Sequence, residues 1–272
     1  MSEPSGTTVE QETDEAGPTT GRDGEPGTGA KTDHVQRGGW NFAVLALDHV
    51  VLRIGWIFKT ESIIIPAVLD ALGGSAWLRG CLPLLNRFGQ SVPPLIVAPR
   101  LARATFKRDW LVGCGAVMAA CFGLLSLGWS LRETWGAAWA QAGFLAVYAV
   151  FFATTGVHQL TFNTLQGKLV PVTWRGKLLL ASNLVGAPSA VLFAAWLLPK
   201  WLTPTGGNFT AIFAFTAGAF GLAALSGWLL VECPDAIPPK RPRREPVFRL
   251  AWRAVRQDAR LRQLAIVAAC FG

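Results

Sequence analysis

Asp48, His49, Arg53, Trp56, Lys59 and Thr60 lie in one oily stretch, Asn41 to Pro66, that is long enough to cross a bilayer. At about 100° per residue these polar groups share one arc, while Leu47, Val50, Val51, Ile54, Ile57 and Phe58 take the opposite side. A charge near the bilayer centre costs at least about 2.5 to 3.5 kcal/mol, so such groups turn toward a protein interior or a wet cavity. Two kinds of chemistry follow. Asp48 is the candidate for reversible protonation, because a carboxylate in a low dielectric readily gives up its charge, and Arg53 is a counter-charge or an anion contact. A competing reading makes Asp48 and Arg53 structural partners, although a separation of five residues suits a direct pair on one helix poorly.

Two further rows of polar residues point the same way, and a third segment carries a polar pair. Arg79, Pro83, Asn86, Arg87, Gln90 and Pro94 fall within about 100° of one another on the segment from Ala76 to Pro99. Gln141, Tyr148, Phe152, Thr155, Gln159, Asn163 and Gln166 recur at helical spacings along another, with His158 well off that stripe. Asn183 follows Ser182 in a third. Such rows either line a wet wall or act as interhelical glue worth around 0.6 kcal/mol apiece. Their continuity favours the wall.

The elements that must position these groups are membrane helices. Among 272 residues 51% are hydrophobic and only 15% charged, and the mean hydropathy is +0.35, too oily for an ordinary soluble domain. Uncharged runs extend over Trp110–Leu131, Thr134–Gly167, Leu178–Pro199 and Trp201–Val231, each longer than the roughly 18 residues a span needs. With the Asn41 and Ser75 regions they give six crossings, and a seventh starts at about Leu264. The runs do not alternate as barrel strands do, so the expected fold is all-α, a polytopic membrane helical bundle of six transmembrane helices with a cytoplasmic amphipathic linker helix.

Four regions follow: 1–38 a disordered cytoplasmic tail, 39–232 the six-helix bundle, 233–262 a basic linker, and 263–272 the start of a further helix. The tail is rich in Gly, Thr, Glu, Pro and Ser and cannot bury enough apolar surface to offset its ordering entropy. Gly73 and Gly74 end the first helical region and Ser75 caps the next, whose later half Pro93 and Pro94 should break or kink. From Val247 the linker is amphipathic, with arginines on one side, as suits a helix lying against anionic headgroups. Cys81, Cys114, Cys121, Cys233 and Cys270 lack metal-ligand spacing and read as small packing residues, so no metal and no cofactor is expected.

The net charge of +8 understates a sharper asymmetry. The first 37 residues hold eight acidic and three basic groups, leaving 22 basic against nine acidic in the remainder. The basic residues gather between spans, which argues for topology rather than nucleic acid. The connections after spans one, three and five hold at most Arg79, Arg132 and Lys200, so the amino terminus is expected on the cytoplasmic side of the cell membrane.

The stretches Asn41-Phe42, Leu45-Ala46-Leu47-Asp48, Ile65-Pro66-Ala67-Val68-Leu69, Leu72-Gly73-Gly74-Ser75, Gly80-Cys81-Leu82-Pro83-Leu84-Leu85 and Pro94-Leu95-Ile96-Val97-Ala98, with the later loop Lys168-Leu169-Val170-Pro171 and Arg175-Gly176-Lys177, resemble bacterial major facilitator superfamily permeases. The basic amphipathic segment is similar to the linker that joins their two six-helix halves. The family's loop between spans two and three usually carries a Gly, an Asp-Arg pair and a basic cluster. Here Ala98 and Ala102 stand in place of the Gly and the Asp, while Arg103, Lys107 and Arg108 remain.

That resemblance implies a secondary transporter that moves a small solute through a central cavity by rocking, often coupled to protons, with lipid as its surroundings. It also implies a second half of six spans, so the chain would be an amino-terminal half and a partner half-transporter chain a candidate companion. The pathway residues it points to are Asp48, Arg53, Trp56, Asn86, Arg87, Gln90, Tyr148, Thr155, Gln159 and Asn183. Arg103, Lys107, Arg108 and Arg175 would form the gating loops. The alternatives are a membrane-embedded binding or scaffolding module that needs a partner chain, or an inactive truncated product. No nucleophile elbow, phosphate loop or metal cluster marks an enzyme.

Overall fold

The computed structural model describes residues 28–60, 63–134, 136–203, 206–235 and 247–271. Nine helices occur among these: α1 Thr28–Ile57, α2 Ile64–Ala71, α3 Ala76–Leu101, α4 Arg108–Ser130, α5 Ala137–Leu169, α6 Val172–Trp201, α7 Phe209–Gly227, α8 Val247–Gln257 and α9 Ala259–Phe271. A two-residue ladder, β1 Leu202–Thr203 on β2 Gly206–Gly207, closes the turn between α6 and α7. Five helices, α1 from Gly38, α4, α5 from Ala138, α6 and α7, are long and apolar enough to cross a membrane. The chain is a multi-pass helical membrane protein. Exposed Leu124, Leu127, Leu180, Leu184, Leu192, Leu222 and Leu225 give α4, α6 and α7 the oily outer surface that lipid requires.

α3 is as long as its neighbours, but Arg79, Arg87, Arg100 and four internal prolines keep it out of that apolar class. It runs unbroken through Pro93 and Pro94, where a break or a kink was expected. Tight packing on α5 holds it. A Cβ on Gly89 would stand 2.5 Å from the Phe152 Cβ, and one on Gly156 would stand 3.0 Å from the Pro94 Cγ. A helix clasped this closely tolerates the missing proline N–H groups because its neighbour fixes the backbone.

Three other boundaries differ from the sequence-based expectation. α1 begins at Thr28, inside the stretch read as a disordered tail; once the span is helical, adding residues at its start needs no new nucleus. At its other end α1 stops at Ile57 rather than running to Pro66. The Thr60 hydroxyl donates to the Ile57 carbonyl, and the amides of Ile64 and Ile65 turn back onto the Thr60 carbonyl at 3.0 and 3.2 Å. The last helix starts at Ala259, not 263, because Asp258 accepts from the amides of Arg260 and Leu261 at 2.9 and 3.3 Å and so caps it. Residues 1–27 and 236–246, which include part of the expected tail and linker, lie outside the described residues.

The turn at Gly73, with φ of 73°, stands where the paired glycines place it. Ser75 takes the N-cap position of α3, but its side chain makes no capping bond. At the core, Phe122, Phe151 and Phe220 from α4, α5 and α7 meet with ring centroids 5.0 to 5.7 Å apart.

The main helix pairings repeat. α3 packs on α5 as α6 packs on α1; α4 packs on α5 as α7 packs on α1; and α4 lies along α7. Exchanging α1, α3 and α4 for α5, α6 and α7 leaves this set of pairings unchanged. The contact residues repeat too. Gly89 of α3 sits against Phe152 of α5, and Gly186 of α6 sits against Val50 of α1, where a Cβ would be 3.4 Å from the Val50 Cα. Each glycine ends the same short pattern, Asn86-Arg87-Phe88-Gly89 and Asn183-Leu184-Val185-Gly186.

Candidate functional site

A cavity of about 680 Å³ opens between α1, α5 and α6, within the size range of small-molecule sites. α1 and the turn after it contribute His49, Leu52, Arg53, Trp56, Ile57, Lys59 and Thr60; α5 contributes Thr155 and Gln159; α6 contributes Ala187, Ala190 and Val191. If Val50 is matched to Phe152, the residues that Gly186 and Gly89 meet, then Arg53 and Thr155 fall on equivalent positions of the two repeated units. Both face the cavity.

Of the residues singled out in the sequence, Arg53, Trp56, Thr155 and Gln159 come together here. The Thr155 hydroxyl donates to the Phe151 carbonyl at 2.9 Å, and the Gln159 amide donates to Asn163 at 3.2 Å. The Arg53 stem lies over Gly186, where a Cβ would stand 3.3 Å from its Cδ. Lys59, which sequence reasoning left out of the site, is almost wholly buried at 1% exposure. Its ammonium lies 3.8 Å from the Trp56 ring centroid and 4.9 Å from that of Phe152. The helical wheel put Lys59 on the polar arc with Trp56, but α1 ends at Ile57, so the turn there sets how Lys59 folds back over these rings.

Asp48 does not line this cavity. It is 1% exposed and faces α7, where Ser226 is set against it. The Ser226 hydroxyl already donates to the Ala223 carbonyl at 2.7 Å, and neither Asp48 oxygen has a hydrogen-bond partner among the described residues. Tyr148 is likewise elsewhere, packed in the aromatic core between Phe144 and Phe151. Asn86 and Gln90 bond to each other on α3, and Arg87 and Asn183 are exposed on α3 and α6. Gln141, the first member of the α5 row, donates to the Leu72 carbonyl at 2.8 Å, so that row serves several places rather than one wall.

The basic loops build a second constellation at one end of the bundle. Glu232, just beyond α7, has a side chain with no exposure, and its carboxylate accepts from the main-chain amides of Lys107 and Arg108 at 3.1 and 2.8 Å. Lys168 at the end of α5 reaches the same carboxylate at 2.7 Å and Asp235 at 2.9 Å, and Lys107 also pairs with Asp235. Lys107, and after it Lys168, hold the Asp235 carboxyl below its ordinary range. Asn41 clips α1 to the same place, its side-chain amide exchanging two 2.9 Å bonds with the main chain of Val231. Arg175 donates to the carbonyls of Val170 and Gly167 at 3.2 and 2.7 Å and thus caps α5, whereas Arg103 is exposed. Glu232 and Asp235 are legible as the two acids of Glu232-Cys233-Pro234-Asp235 next to the basic residues, which alone carry the topology signal.

Comparison with protein-family models, with curated proteins and with solved structures gives no match.

Proposed function

We propose that this chain is a transport unit resembling the amino-terminal half of a major facilitator superfamily permease, in which α3 makes the sixth crossing. It moves a small solute across the cytoplasmic membrane by alternating access, with its amino terminus and α8 on the cytoplasmic side and a second half as its partner. The observation that carries this is the exchange symmetry of the helix pairings, with the cavity wall falling on equivalent positions of α1 and α5. Repeats of three spans, an odd number, run in opposite directions through the bilayer, and inverted repeats around a midplane site are the build of many secondary transporters.

Asp48 is the group assigned to proton coupling. An ionised carboxylate buried there has only the Ser226 hydroxyl beside it, already turned to the Ala223 carbonyl, to offset its desolvation, so gaining and losing a proton would alter how α1 sits on α7.

Accessibility tests both points. With the native cysteines replaced by serine, Gln159→Cys in vesicles of each sidedness should react with a maleimide that cannot cross the membrane, from both faces. Leu124→Cys, on the lipid side, should not react. Labelling from one face alone would remove alternating access and favour a binding module, and no labelling would remove the wet cavity. If the two-sided reaction varies with pH, Asp48→Asn should abolish that variation; an unchanged pH profile would move the proton elsewhere.

A further inference from the structure

Among the described residues, the titratable groups that line the cavity between α1, α5 and α6 carry one sign or none. His49, Arg53 and Lys59 line it, and no Asp or Glu among the described residues does. Asp48 is next to His49 in sequence, but it points away to α7 and does not reach the cavity. Arg53 forms no ion pair among the described residues. A guanidinium held in a membrane interior needs an anion to offset its desolvation, and its planar fork fits a carboxylate with two parallel bonds. The rest of the wall is different in kind. Leu52, Trp56 and Val191 offer an apolar surface, while Thr155 and Gln159 supply neutral hydrogen-bonding groups.

Resting on the transport reading of the same cavity, we propose that its solute is an organic anion, a carboxylate or similar acid on an apolar body. The acidic group meets Arg53. The apolar body lies between Trp56 and the α6 wall. A cation of the same shape is repelled by Arg53, so selection is by the sign of charge rather than by size.

The test is calorimetric binding to the full chain in phosphatidylcholine nanodiscs, with 2-naphthoate, 2-naphthylmethanol and 2-naphthylmethylammonium as three probes of one shape and different charge. The naphthoate should bind at least about tenfold tighter than the alcohol, and the ammonium most weakly. Arg53→Gln should weaken naphthoate about 10- to 100-fold, the range for losing a charged hydrogen bond, and leave the alcohol unchanged. Arg53→Lys, which keeps the charge without the fork, should fall between. Equal or tighter binding of the ammonium or the alcohol overturns the proposal, as does absence of naphthoate binding. So does an Arg53→Gln variant that loses alcohol and naphthoate alike, which would mark Arg53 as structural. Repeating the titration in phosphatidylglycerol nanodiscs separates the sources of the anion: weaker naphthoate binding there means that an acidic lipid competes for the site, and unchanged binding means a free solute. Selective, Arg53-dependent binding together with one-sided labelling of Gln159→Cys would keep the anion and discard transport; two-sided labelling without charge preference would do the reverse.

Discussion

Glu232→Gln is the substitution whose consequence follows most directly from the geometry. The Glu232 carboxylate is fully buried and serves three donors: one oxygen takes the Lys107 amide and the Lys168 ammonium, and the other takes the Arg108 amide that opens α4. A glutamine keeps one oxygen and presents an NH2 group where the second was, so at least one donor loses its acceptor and Lys168 loses part of its counter-charge. Bonds to a charged group contribute about 1.5 to 3 kcal/mol each, and breaking a buried pair costs about 3 to 5 kcal/mol. Lys168 is one-fifth exposed and still has Asp235, so some of that is recovered by solvent and by the second acid. The expected destabilisation is about 2 to 3 kcal/mol for Glu232→Gln and about 3 to 5 kcal/mol for Glu232→Ala, which also strips the cap from α4. Chemical unfolding in mixed micelles, followed by tryptophan fluorescence, measures both. Glu232→Gln within about 0.5 kcal/mol of the parent, or milder than Asp235→Asn, would refute the assignment of Glu232 as the centre of this cluster.

Two other outcomes follow from the same geometry. Asp235, about one-third exposed, should contribute no more than about 1 kcal/mol after screening. Because its carboxyl titrates below the ordinary 3.8 in the fold, that contribution is present above this value and is lost as pH falls through the lower, folded value. The difference in stability between parent and Asp235→Asn should therefore be constant near neutrality and shrink only at pH below about 4; a difference that grows on acidification would reverse the sign. Gly89→Ala should separate α3 from α5, since its Cβ would meet Phe152 at 2.5 Å, and cost about 1 to 3 kcal/mol or more. Gly80→Ala on the same helix has nothing within 4 Å and should be neutral or gain about 0.5 to 1 kcal/mol, so equal effects of the two in the same unfolding assay would remove the close α3–α5 contact.

Asn86 and Asn183 illustrate what was readable and what was missed. Each was singled out as a polar group inside an apolar segment, yet the shared spacing to Gly89 and Gly186 is what marks the internal repeat. A four-residue pattern separated by nearly one hundred residues carries little weight until two glycines are seen clasping equivalent helices. The α5 row shows the opposite failure. Helical periodicity correctly put Tyr148, Thr155 and Gln159 along one line, but a helix of 33 residues passes several neighbours in turn. Its stripe therefore meets aromatic core at Tyr148 and the cavity at Thr155 and Gln159.

Composition and uncharged run length alone determined that the chain is helical and lives in a membrane, because hydrocarbon admits only segments that satisfy their own backbone hydrogen bonds over about 30 Å. Turn residues such as Gly73 likewise act locally and can be read from the chain. Which way a buried charge turns is another matter. Asp48 and Arg53 share a polar arc, yet Asp48 faces Ser226 on α7 and Arg53 faces the cavity by α6, and Lys59 folds over Trp56 only because α1 ends at Ile57. A helix fixes the angle between two side chains but not what stands opposite each of them. That is set by partners more than one hundred residues away, and only the packed bundle supplies them.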